Sequence, residues 1–203
     1  MDVPRAARAL LACALLGASF GARAVVTYFN ANGARSITLR VGSNNTTVNT
    51  VTFDVLNANI APTPAPVQGV PGNGAPATSP PNGVQVLLQT NRRGNSPDVV
   101  KLLVNSSAGM ACQTGVCTSS PLTIPFSTVS WTSYETGGGA FSAGIASGSF
   151  NGSAAQTLYS GTVPTASGNS VIVSNILVFQ YANTTVYPSG TYRGRVTYTA
   201  SVP

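Results

Sequence analysis

Residues 190–203 (GTYRGRVTYTASVP) constrain the fold more than any other stretch. Tyr192, Gly194, Val196, Tyr198, Ala200 and Val202 fall on one face of an extended chain. Thr191, Arg193, Arg195, Thr197, Thr199 and Ser201 fall on the other. Period-two alternation over this length predicts a single β-strand across 191–202, with one buried and one wet face. A one-sided strand at this place is expected to sit inside its own sheet or to offer an edge to another chain.

The rest of the chain reads the same way. No window carries the i, i+3, i+4, i+7 apolar spacing of an amphipathic helix. Strands are predicted at 36–41, 48–55, 84–89, 99–105, 122–131, 139–150, 156–163 and 171–181, punctuated by Gly, Ser and Asn. The first two, around Gly42, Ser43, Asn44 and Asn45, are expected to form a hairpin or an early corner. The almost continuously apolar run VIVSNILVFQY predicts a central strand covered on both faces. Within 122–131 the alternation changes register near Pro125, which predicts an edge position or a bulge. Between residues 60 and 83 lie Pro62, Pro64, Pro66, Pro71, Pro76, Pro80 and Pro81. Each lacks a backbone donor, so regular sheet is not expected there. We read this segment as a long surface loop within one domain, because the stretch before it is too short for an independent core. The fold class is therefore an all-β sandwich.

The N-terminus reads as a targeting segment. Arg5 and Arg8 precede an apolar run over 9–20, and Ala22-Arg23-Ala24 is a small-x-small cleavage site. Residues 1–24 are expected to be a cleaved signal peptide and 25–203 an exported single domain. A lipoprotein box at Leu10-Leu11-Ala12-Cys13 is set aside, because the apolar run continues past Cys13. From residue 25 on, seven cationic side chains face Asp54, Asp98 and Glu135, an excess of four. Only Arg92 and Arg93 adjoin, too few for a phosphate-binding surface, so nucleic acid is not an expected partner. Cys112 and Cys117 remain, spaced as CQTGVC; in an oxidising compartment this spacing predicts a local disulfide. Closing so short a loop contributes about 2 kcal/mol in the chain-entropy account.

Chemistry is sparse. The chain has no histidine, and its carboxylates are scattered. Neither a general acid–base pair nor a four-ligand zinc set can be assembled from the sequence, and no G-x-S-x-G elbow is present. Gly137-Gly138-Gly139 lacks the Lys and Ser/Thr of a phosphate loop. No enzyme activity, cofactor or metal is expected. An aromatic sugar platform could be drawn from Trp131, Tyr134, Tyr28 and Tyr187, although a lone Trp in a sandwich more commonly fills the core.

The closing strand resembles that of chaperone–usher pilus subunits. In that family a glycine stands fourteenth from the end, as Gly190 does here, and alternating apolar residues follow, as at Tyr192, Val196, Tyr198, Ala200 and Val202. This sequence departs from the pattern at Val202, where a penultimate aromatic is usual, and at Gly194, which interrupts the apolar row. The CQTGVC bridge is also shorter than the strand-to-strand disulfide common in such pilins. The resemblance implies an immunoglobulin-like sandwich that lacks its last strand and is completed by donor-strand exchange, with those residues and Gly190 lining an assembly groove. It implies a donor segment containing Val25, Val26, Tyr28, Phe29 and Ala31. It further implies neighbouring subunits, a periplasmic chaperone and an outer-membrane usher as partners, and passage through the periplasm to a surface fibre or pilus. The Pro203 carboxylate would meet a basic residue of the chaperone. The ending is also similar to that of WxL-type cell-wall domains, whose Trp-x-Leu motifs are missing here. A self-contained secreted sandwich that binds carbohydrate, a host glycan or cell wall is the competing expectation.

Overall fold

The computed structural model describes residues 25–29, 35–42, 50–60, 63–72, 75, 77–92, 98–120, 122–136, 144–163 and 170–202. The expected signal segment 1–24, Ala31, Arg93, the triple glycine at 137–139 and Pro203 lie outside them.

The described residues form antiparallel sheets with short 3-10 turns and no α-helix. The largest sheet runs β1 (Val25–Phe29), β2 (Arg35–Val41), β6 (Gly83–Arg92), β13 (Ser170–Tyr181), β10 (Val129–Glu135), β11 (Gly148–Ser149). A short strand, β4 (Val67–Gln68), also pairs with β13. A second sheet orders β12 (Gln156–Val163), β7 (Asp98–Asn105) and β15 (Thr197–Ser201). A third orders β14 (Gly190–Gly194), β8 (Met110–Gly115) and β9 (Thr123–Ile124). Finally β3 (Val51–Thr52) pairs with β5 (Val70–Pro71).

Alternation decides which residues go inside. On β6, Val84, Val86 and Leu88 are buried; on β13, Val171, Val173, Leu177, Phe179 and Tyr181 are. Across the core, β7 contributes Val100, Leu102 and Val104, and β12 contributes Tyr159 and Val163. These side chains make one apolar cluster, so the two largest sheets face each other as layers of an all-β fold. Each fully buried Val or Leu contributes about 1.5–3 kcal/mol over an exposed one. Trp131 closes one part of this core against Phe150 and Phe179, at ring separations of 5.0 and 6.5 Å.

Buried polar groups are paired where the strands need them. Asn175, fully buried on β13, accepts from the Ile145 backbone N–H at 3.0 Å and donates to Ser133 Oγ at 3.0 Å. This side chain ties the segment before β11 to β10 and β13. Asn183 adopts a left-handed backbone (φ 52°), which Asn tolerates better than most residues. From there its Nδ2 donates to the carbonyls of Asn59 and Ala65, at 2.8 and 3.2 Å.

The structure departs from the sequence reading in several places. Of the hairpin or early corner expected from 36–41 and 48–55, the described residues show no hairpin pairing: β2 pairs with β1 and β6, while β3 pairs with β5. The proline-rich segment is not only loop, since β4 docks on β13 and β5 docks on β3. Two-residue pairings demand few donors, so Pro71, itself paired with Val51 in β5, does not block them. The break near Pro125 is a 3-10 turn, Phe126–Thr128, that carries the chain from β9 to β10. In the predicted strand 139–150, only Gly148–Ser149 is extended among the described residues. The central position of β13 holds within the plane, with β6 and β10 on either side. Its second face is only partly covered: Ile176 is buried there, while Ile172, Ser174 and Val178 are half-buried.

Candidate functional site

The C-terminal stretch is two strands rather than one. β14 ends at Gly194, Arg195 and Val196 follow, and β15 begins at Thr197. β14 pairs with β8, whereas β15 pairs with β7, so the chain changes sheets at the break. The alternation nevertheless survives the crossing. Tyr192, Val196, Tyr198, Ala200 and Val202 are half-buried against the core, while Thr191, Arg193, Arg195, Thr197, Thr199 and Ser201 are exposed. Facing positions agree: Tyr198 lies opposite Val104 and Ala200 opposite Leu102, both fully buried.

The two glycines of this stretch have separate physical reasons. A Cβ on Gly190 would collide with Cys117 Sγ and the Thr114 carbonyl. A Cβ on Gly194 would collide with the Gly109 carbonyl and lie 2.7 Å from Phe126 Cζ and 2.8 Å from Met110 Cγ. Gly194 therefore interrupts the apolar row because the backbone of Gly109, just before β8, already fills the position. It is a packing requirement of this fold.

The expected disulfide between Cys112 and Cys117 is present, with Cα atoms 5.9 Å apart. Cys117 is fully buried, Cys112 only in part. Nothing in the sequence reading flagged β8, which carries Cys112: MACQTG shows no alternation of its own. Its boundary glycines, Gly109 and Gly115, both at positive φ, were the available signal.

An aromatic group flanks β14. Tyr192 donates its hydroxyl proton to the Pro188 carbonyl at 2.9 Å and meets Tyr187 edge-on at 6.2 Å. Tyr181 lies close enough that burial first, then the neighbouring Tyr187 and Tyr192, raise its phenol pKa. Burial alone pushes up the Tyr198 phenol.

At the other end of the described chain, β1 contains the proposed donor positions Val25, Val26, Tyr28 and Phe29. It pairs with β2, with Val25 opposite Arg40 and Phe29 opposite Ser36, and ends the largest sheet. β15 ends the second sheet. Among the described residues the two candidate segments are thus both edge strands and are not paired with each other. Gly190, at the disulfide, stands apart from the row that continues on β15.

Trp131 belongs to the core and not to an exposed sugar platform. Trp131 is 5 % exposed, and its indole N–H donates to the Ala146 carbonyl at 2.9 Å, whereas Tyr134 is exposed on the same strand. Among the described residues no group of three or more metal-ligating side chains occurs. Comparison with family models, curated proteins and solved structures finds no match for this chain.

Proposed function

We propose that this chain is a structural subunit of an extracellular fibre or pilus, joined to its neighbours by β-strand addition. The observation that carries the reading is the state of β15. It ends its sheet, pairs on one side only among the described residues, and holds an apolar row that is half covered. Such an edge offers main-chain hydrogen bonds along its length and apolar positions at every second residue, the two requirements of β-augmentation. Tyr192, Val196, Tyr198, Ala200 and Val202 receive the added strand. The segment holding Val25, Val26, Tyr28, Phe29 and Ala31 from the adjoining subunit supplies it. Among the described residues β1 has a single strand neighbour, so its release disrupts one strand pairing. An immunoglobulin-like topology that lacks its last strand, export through the periplasm, and handling by a chaperone and usher belong to the same proposal.

The test is to purify the secreted chain with and without residues 25–34 and follow polymer formation by sizing and electron microscopy. Full-length protein should form linear polymers. The truncated form should stay monomeric and bind a peptide of residues 25–34. Polymers formed equally well by the truncated chain, or a full-length chain that stays monomeric and melts reversibly, would overturn the proposal.

A further inference from the structure

The short disulfide sits under the start of β14 and touches it through both cysteines. Cys112 on β8 lies opposite Tyr192 on β14. Cys117 closes the ring from the 3-10 turn Val116–Ser119, and any Cβ on Gly190 would strike its sulfur. The Cys117 backbone N–H donates to the Ser189 carbonyl at 3.0 Å. Gly115 pairs with Gly190, and a Cβ on Gly115 would lie 2.6 Å from the Gly190 Cα, so backbone packs directly on backbone. The pairing skips Gln113, because Thr191 faces Thr114 while Tyr192 faces Cys112. The bridged loop thus presents a shaped floor to β14. β14 has no strand neighbour but β8 among the described residues, whereas β15 is held independently by β7.

We propose that Cys112–Cys117 is a thiol–disulfide exchange site whose oxidation state sets whether Gly190–Gly194 is docked, with a dithiol reductant or its oxidised form as the reacting partner. One thiolate of the dithiol attacks Sγ of Cys112, the partly exposed cysteine of the pair, forming a mixed disulfide and expelling Cys117 as a thiolate that takes up a proton. The second thiol of the reagent displaces Cys112, which is likewise protonated. Two electrons enter the protein, and the reagent leaves as its own disulfide. Two thiols stand farther apart than two bonded sulfurs, and Cys117 Sγ already fills the place where a Cβ on Gly190 would stand. Reduction therefore pushes on the first residue of β14 and unties the loop beneath it. The inference goes beyond the assembly proposal and stands without it.

Amide hydrogen exchange read by mass spectrometry tests this on the secreted chain, oxidised, after dithiothreitol, and after reoxidation. Peptides covering 190–194 should exchange faster on reduction by on the order of tenfold or more and recover on reoxidation. Those covering 99–105, 171–181 and 197–201 should hold their protection. Equal loss of protection everywhere, no change at 190–194, or a bond that dithiothreitol cannot reduce without denaturant would overturn the proposal. A C112A/C117A variant provides the permanently unbridged state. If it fails to fold, reduction of the native chain still decides the matter.

Discussion

Gly194→Ala should destabilise the protein, although it makes the alternation of the closing stretch more regular. The new Cβ meets three atoms of differing compliance: the Gly109 carbonyl oxygen, Phe126 Cζ at 2.7 Å and Met110 Cγ at 2.8 Å. Carbon contacts settle at about 3.5–4.0 Å, so each carbon overlap is roughly 1 Å. Met110 can swing aside, since its thioether chain is flexible. Phe126 is buried and packs edge-on against Phe150 at 5.9 Å. The Gly109 carbonyl cannot retreat easily either. Gly109 is held at φ 67°, and its own missing Cβ would lie 2.6 Å from Thr123 and 3.0 Å from the Ile124 carbonyl. Overpacking of this kind costs about 1–3 kcal/mol. The smaller unfolded-state entropy of Ala returns about 0.4–1 kcal/mol. A net loss of about 1–2 kcal/mol lowers Tm by roughly 2–8 °C in a chain of this size. Guanidinium titration followed by Trp131 fluorescence reads the midpoint, and the slope should not change. Thr199→Ala, on the exposed face of β15, is the control and should fall within about 0.5 kcal/mol of the parent. A Gly194→Ala protein as stable as the parent, or more so, would refute the packing account.

Trp131→Ala removes the largest side chain of the aromatic group and should cost about 3–5 kcal/mol in urea unfolding followed by far-ultraviolet circular dichroism. A loss below about 1 kcal/mol would contradict its place in the core. Alkaline pH should also weaken the fold. Burial raises the phenol pKa values of Tyr198 and Tyr159, and raises that of Tyr181 together with its Tyr187 and Tyr192 neighbours. The folded state then holds these protons more tightly than the unfolded chain. Their stabilisation is complete below about pH 10, the unfolded value, and is lost as pH rises through the folded values. Melting temperature should therefore fall above about pH 10 and fall less steeply in Tyr198→Phe. Identical slopes in the two proteins would remove Tyr198 from the explanation.

What the sequence revealed follows from the range of the forces involved. Strands whose inward face alternates cleanly were legible: 156–163 is β12 as read, and β7 and β13 differ from their expected limits by one residue at most. The short disulfide was legible too, because five residues of separation leave little conformational choice. β8 was not, since MACQTG gains its order from β14 and β9, each fixed by residues distant in the chain. The same holds for β4, which docks on Gln180 and Tyr181. The break at Arg195–Val196 also escaped the pattern. Period two records which face is wet and says nothing about which neighbour a strand pairs with. The candidate site was half visible: the apolar row was readable from its period, whereas the reason for each glycine lay in the opposing backbone.

Among the described residues β13 is the only strand of the largest sheet that joins the β1–β2–β6 half to the β10–β11 half. It also carries the docking position for β4. A chain growing from its N-terminus has made β2, β6 and β10 well before it makes Ser170–Tyr181, out of 203 residues. Until then the β6 edge that carries Val86 and Leu88, and the β10 edge that carries Trp131, have no partner between them. Pairings this distant in sequence close slowly, and open apolar edges invite the wrong partner while they wait. The order of the strands along the chain therefore leaves the protein exposed to misassembly from the completion of β6 until β13 is made. The danger ends when the late strand slots between two halves made long before it.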